Sequence, residues 1–160
     1  MIYYWLRIFT QEKLFEPEGG EQVKMSDQRS EKLALLKQEL AALGKVLVAF
    51  SAGVDSTLLV KVAQEVLGTN MAAVTVRLET LPKAELRDAL EFCEKHRIKH
   101  YFLTCNELEI AEFRKNPPER CYICKKYIFS QLKEAAAQVG FRHIVEGSNL
   151  DDLQDYRPGR

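Results

Sequence analysis

The chain has 160 residues, enough for one domain with a core of its own, and its 46% apolar and 29% charged residues give a globular rather than a disordered balance. Twenty-three basic side chains offset twenty-three acidic ones. Without a basic excess, nucleic acid held through its phosphates is disfavoured, and no apolar run reaches the ~20 residues of a membrane span.

Residues 1–24 are expected to be an extension with no part in the chemistry. Arg7 interrupts their apolar start, no small-residue cleavage site follows, and Pro17, Gly19 and Gly20 break the pattern before Met25. Without an export signal the expected location is cytoplasmic, a reducing compartment where the four cysteines read as thiols or ligands rather than disulfides. A first helix opens after Ser26 or Ser30 as N-cap and closes near Gly44. Residues 45–50 read as a buried strand, 56–67 as a helix closed by Gly68, and 71–78 as a second strand. Pro82 takes the first position of a helix that runs to His96. Residues 100–103 form a short third strand. A loop with Pro117 and Pro118 leads to a helix over about 121–139, then a fourth strand over 141–146. This alternation predicts an α/β fold: a doubly wound parallel sheet with helices on both faces.

Between the first of these strands and its helix the chain reads Ser51-Ala52-Gly53-Val54-Asp55-Ser56-Thr57. In such a sheet, ligands bind beyond the carboxyl ends of the strands. A helix N-terminus there offers unpaired amides and about half a positive charge to a phosphate. Gly53 lets the backbone approach an anion, and Ser51, Ser56 and Thr57 add hydroxyl donors. No Lys precedes Ser56, so this is not a Walker P-loop. The helix end contributes only about 0.3–1 kcal/mol, or ~2 when partly buried, so cations must complete the hold on a triphosphate. Asp55 either caps the helix in a plain turn or holds Mg²⁺.

Residues 116–126 read NPPERCYICKK. Cys121 and Cys124 share a helix face with Ile128, Leu132, Ala135 and Val139, so they read either as core thiols or as ligands or reactive thiols. Arg120, Lys125 and Lys126, with the helix N-terminus, are expected to lower the thiol pKa. Cys93 and Cys105 read as buried thiols, and His96, His100 and His143 as structural or exposed. The last segment, EGSNLDDLQDYRPGR, sets Gly147, Ser148 and Asn149 after the fourth strand, at the sheet edge that also carries the first loop. Asp151, Asp152 and Asp155 offer carboxylates for a cation, and Arg157 a fork for phosphate or carboxylate.

The stretch SAGVDS resembles the SGGxDS pyrophosphate loop of the ATP pyrophosphatase (PP-loop) superfamily, departing at Ala52, where glycine is usual. Alanine there costs little at negative φ and strains the loop at positive φ. Taken in order, SAGVDS, NPPERCYICKK and EGSNLDDLQDYRPG resemble the LarE family of ATP-dependent sacrificial sulfur transferases, over residues 25–160. The resemblance implies an adenine nucleotide alpha hydrolase-like (Rossmann-like) domain using ATP and Mg²⁺. By it, Ser51, Gly53, Val54, Asp55, Ser56 and Thr57 hold the β- and γ-phosphates, with Asp55 also on Mg²⁺. Gly147, Ser148 and Asn149 flank the nucleotide, and Arg120 and Arg157 meet an anionic substrate. The implied reaction adenylates a carboxylate of a pyridinium dicarboxylate mononucleotide. A cysteine sulfur then displaces AMP, on the way to the nickel-pincer nucleotide cofactor. Some members sacrifice one cysteine, while others hold a [4Fe–4S] cluster on three, two of which Cys121 and Cys124 resemble. The family continues past the RPG motif through a catalytic region with the donor cysteine, so this chain resembles the ATP-binding part alone. A homo-oligomer, or a partner chain supplying that region, is expected. Two other readings stay open: a non-catalytic nucleotide-binding module, and a related PP-loop tRNA thiolase or amide synthetase.

Overall fold

The computed structural model describes residues 2–4, 25–78 and 83–147. Strands β1 (Ile2–Tyr4), β2 (Val46–Ala49), β3 (Met71–Arg77), β4 (His100–Thr104) and β5 (His143–Glu146) form one sheet in the order β1-β5-β2-β3-β4, every pair parallel. The helices are α1 (Met25–Leu43), α2 (Val54–Leu67), α3 (Lys83–Lys95), α4 (Ala111–Arg114) and α5 (Arg120–Gln138).

The central strands are apolar on both faces, as a doubly covered sheet requires. Val46, Val48, Phe50, Met71, Ala73 and Val145 face one way and pack with Leu36 and Leu40 of α1, Leu59, Val60 and Ala63 of α2, and Ala89 and Cys93 of α3. Leu47, Ala72, Val74 and Ile144 face the other way, against Leu132 and Ala136 of α5. Each fully buried Leu or Val contributes about 1.5–3 kcal/mol. Glycines at positive φ, Gly44 (69°) and Gly68 (55°), end α1 and α2 where the sequence places those stops.

The chain runs outward from β2 through β3 to β4 with α2 and α3 on the first face. It then returns by α5 over the second face to seat β5 on the far side of β2. The order therefore reverses between β2 and β5, and the register holds Ala49 level with both Val74 and Glu146. Such a switch point leaves a crevice beyond the strand ends.

Three features depart from the sequence reading. Ile2–Tyr4, within the stretch read as an extension, forms an edge strand beside β5. A 3₁₀ turn at Glu107–Glu109 and the short α4 occupy the segment before Pro117 that was read as loop. The inner stripe of α5 runs Ile128, Leu132, Ala136, and Val139 is exposed, because the helix ends there and Phe141 takes the buried place beyond Gly140. Pro82 lies outside the described residues. Among the described residues, no helix is long and apolar enough to cross a membrane.

Candidate functional site

A cleft of about 620 Å³ opens at the carboxyl ends of β2, β3 and β5, between the sheet and α5. Its volume lies within the range of small-ligand sites. Ser51, Ser56, Gly147, Arg120, Cys121 and Cys124 all line it. Residues far apart in sequence thus meet at one place.

The β2–α2 turn is built by its own hydrogen bonds. Ser56, 5% exposed, donates from its hydroxyl to Gly53 C=O (3.1 Å) and accepts from Ser51 N–H (3.4 Å), with Ser51 Oγ 3.1 Å away. The first α2 bond runs from Thr57 N–H to Gly53 C=O (2.9 Å). Gly53 is the N-cap and gives no side-chain cap, so helix geometry leaves the first-turn amides without intrahelical acceptors. Asp55 is therefore not the capping residue; it lies exposed within the first turn, where its charge favours the helix dipole. Val54, 86% exposed, opens the helix with its side chain in solvent. The Ser56 hydroxyl is committed to shaping the loop. Ala52 sits at φ 60°, so the alanine that departs from the glycine-rich pattern occupies a conformation that favours glycine.

Gly147 follows β5 and abuts the start of α2. A Cβ built on it would lie 2.8 Å from Ser56 N and 3.0 Å from Asp55 C and Ser56 Cα. Glycine is needed here for space, because only a hydrogen fits between β5 and the helix mouth. Ser148, Asn149, Asp151, Asp152, Asp155 and Arg157 lie outside the described residues.

The opposite wall is the start of α5. Cys121 is exposed and Cys124 half-buried. Burial raises the Cys124 pKa above its ordinary value, and the charges of Glu107, Cys121 and Cys105 add to the rise. This reverses the lowered thiol pKa expected from the neighbouring basic residues. Two of those cations are engaged elsewhere: Arg120 donates to Asn116 Oδ1 (2.7 Å), and Lys125 pairs with Glu146 (3.2 Å). Glu107, fully buried, instead brings negative charge toward the thiols. Cys93 and Cys105 are buried with raised pKa values, as their sequence reading as core thiols has it. His100 is half-buried, and burial lowers its pKa. Among the described residues, no group of three or more His, Cys, Asp and Glu side chains is placed to hold a metal ion. Cys121 and Cys124 supply two thiols, and a cluster on them would take further ligands from elsewhere. The sequence reading missed the Lys125–Glu146 pair, which lines the cleft beside Gly147. The signal available was the lone charge ending an apolar strand.

An open helix mouth at a topological switch point, with hydroxyls on the turn and a glycine wedged against it, defines a nucleotide-binding α/β domain. Residues 34–148 match the asparagine synthase family model, and the chain belongs to that family of PP-loop domains. It is 36% identical to pyridinium-3,5-bisthiocarboxylic acid mononucleotide synthase of Lactiplantibacillus plantarum, over 80% of this chain and 47% of that protein. It is 41% identical to an uncharacterized Synechocystis protein over 80% of this chain and 48% of the other. The chain thus spans about half the length of these curated relatives. In structure it is similar to the NH3-dependent NAD synthetase of Campylobacter jejuni, with TM-score 0.62 and 19% identity over 79% of this chain and 58% of that one. That likeness places the fold with the adenine nucleotide alpha hydrolase-like domains.

Proposed function

We propose that the domain binds ATP through the β2–α2 turn and adenylates the carboxylate of a pyridinium dicarboxylate mononucleotide. Sulfur transfer to the activated carbonyl follows, in nickel-pincer nucleotide cofactor synthesis. The observation that carries this reading is the uncapped first turn of α2 opening on the cleft beside Gly147. The likeness to the L. plantarum synthase supports the choice of substrate.

Each residue then has a task. The amides of Val54, Asp55 and Ser56 and the hydroxyls of Ser51 and Thr57 bind the β- and γ-phosphates, while Gly53 lets them come close and Ser56 fixes the turn. Asp55, an exposed carboxylate at the helix mouth, suits Mg²⁺, which prefers carboxylate and phosphate oxygens. When bound, Mg²⁺ neutralises charge on the departing pyrophosphate. Gly147, Ser148 and Asn149 flank the nucleotide, and Arg120 and Arg157 meet the anionic substrate. The substrate carboxylate attacks the α-phosphorus, pyrophosphate leaves, and a sulfur nucleophile attacks the acyl adenylate, releasing AMP. Cys121 and Cys124 face this cleft as sulfur carriers or as two ligands of a [4Fe–4S] cluster.

The raised pKa of Cys124, which disfavours the nucleophilic thiolate, favours one second reading, a nucleotide-binding module without turnover. Incubation with ATP, Mg²⁺ and the dicarboxylate nucleotide separates the two. Substrate-dependent pyrophosphate release supports adenylation, and nucleotide binding without release supports the module. Asp55→Ala and Ser56→Ala are expected to abolish either signal, and unchanged affinity and rate would refute the loop's assignment.

A further inference from the structure

The β2–β3 ladder ends as Phe50 N–H donates to Val74 C=O (2.9 Å). The next acceptor, Phe50 C=O, receives the hydroxyl of Thr75 (2.8 Å), a residue 5% exposed. A side chain has replaced the rung a strand would supply, and β2 leaves the sheet at this peptide. Thr75 Oγ1 also lies 2.8 Å from His100 Nε2 on β4. A threonine has one hydroxyl proton, so with that proton on Phe50 C=O the oxygen accepts from His100 Nε2–H. His100 Nδ1 is buried and has no hydrogen-bond partner among the described residues, which leaves it the unprotonated nitrogen. The other side of the same peptide is also held: Ser51 N–H donates to Ser56 Oγ, whose proton goes to Gly53 C=O.

We infer that Thr75 and His100 are positioning residues for the phosphate loop. The directed chain His100 Nε2–H, Thr75 O–H, Phe50 C=O fixes the 50–51 peptide, and through it the Ser51–Ser56–Gly53 contacts that aim the α2 mouth. This rests on the nucleotide reading above. The chain crosses from β4 through β3 to the end of β2 and joins residues 25 apart at each step. Its links share donors and acceptors, so loss of the central hydroxyl removes them together. Thr75→Val keeps the shape of the side chain but leaves Phe50 C=O and His100 Nε2–H without their partners. Thr75→Ser keeps the hydroxyl.

The test measures Kd for MgATP and for adenosine, which lacks phosphates, in the intact chain and both variants. Thr75→Val should bind MgATP about tenfold more weakly, with adenosine unchanged and Thr75→Ser within about twofold of the parent. MgATP affinity unchanged in Thr75→Val, or equal losses for MgATP and adenosine, overturns the positioning role alone. An intact chain that binds MgATP no better than adenosine overturns the phosphate-loop reading as well. Should Thr75→Val not fold, ¹⁵N spectra of the His100 imidazole in the intact chain still decide. The Nε2–H tautomer at neutral pH supports the relay, and the Nδ1–H tautomer refutes it.

Discussion

Gly147→Ala tests whether β5 and the α2 mouth are one rigid unit. The added methyl would sit 2.8 Å from Ser56 N and 3.0 Å from Asp55 C and Ser56 Cα, all backbone atoms that no rotamer change can move. Ordinary contact needs about half an ångström more, so either the helix start or the strand end must shift. Overpacking of this kind costs about 1–3 kcal/mol. The amides displaced are those assigned to phosphate, where each charge-assisted hydrogen bond is worth about 1.5–3 kcal/mol. Urea unfolding should therefore show a loss of 1–3 kcal/mol, and calorimetric titration should show MgATP weakened at least ~10-fold. Gly53→Ala is the internal comparison. Its Cβ would meet only Ser51 Oγ at 3.5 Å, and φ there is −71°, so stability should fall by no more than about 1 kcal/mol, the scale of an N-cap change. A Gly147→Ala protein with unaltered stability and MgATP affinity would refute the contact and the role built on it.

Three further outcomes follow from single residues. Ala52→Gly releases a residue from φ 60°, a conformation costing about 1–2 kcal/mol, against ~0.4–1 kcal/mol of added chain entropy when unfolded; thermal unfolding should show a net gain of up to about 1.5 kcal/mol. Leu132→Ala removes a side chain 1% exposed between α5 and the sheet, and chemical denaturation should show 2–5 kcal/mol lost. Burial pushes the Cys93 thiol up from 9.0 to about 11, so the native state keeps a proton that the unfolded state releases. Stability is therefore lost as pH rises from 9 toward 11, by up to roughly 2–3 kcal/mol, and Cys93→Ala should flatten that slope.

The strands and long helices are legible because their periodicity is strong: the two-sided apolar strands, the Gly44 and Gly68 stops and the paired prolines each mark a boundary. Ile2–Tyr4 and α4 were not, since three or four residues carry no usable period and take their structure from neighbours that the sequence sets far away. The helix mouth could be read from local chemistry, as could the place of Gly147 at the same edge. What could not be read was everything set by register. Thr75 and His100 meet only because Ala73 pairs with His100 across β3 and β4. Cys124 is raised rather than lowered in pKa because the fold half-buries it and because Glu107, beyond the Pro117–Pro118 turn, adds its charge, while Arg120 and Lys125 bind other groups.

Ala52 joins these threads. The sequence left its effect conditional on the sign of φ, and the structure puts it on the costly side. A strained residue persists only where its surroundings over-determine it. Here the determinants are Ser51 N–H to Ser56 Oγ and Ser56 Oγ–H to Gly53 C=O, two hydrogen bonds worth about 0.5–1.5 kcal/mol each, set against strain of about 1–2 kcal/mol. The two sides are close to balance, so Ser56 alone can hold the turn only while the 50–51 peptide is anchored from the sheet by Thr75. A glycine at 52 would relax that demand. In this chain, an alanine in the loop makes the fixed peptide behind it a requirement for the shape of the turn.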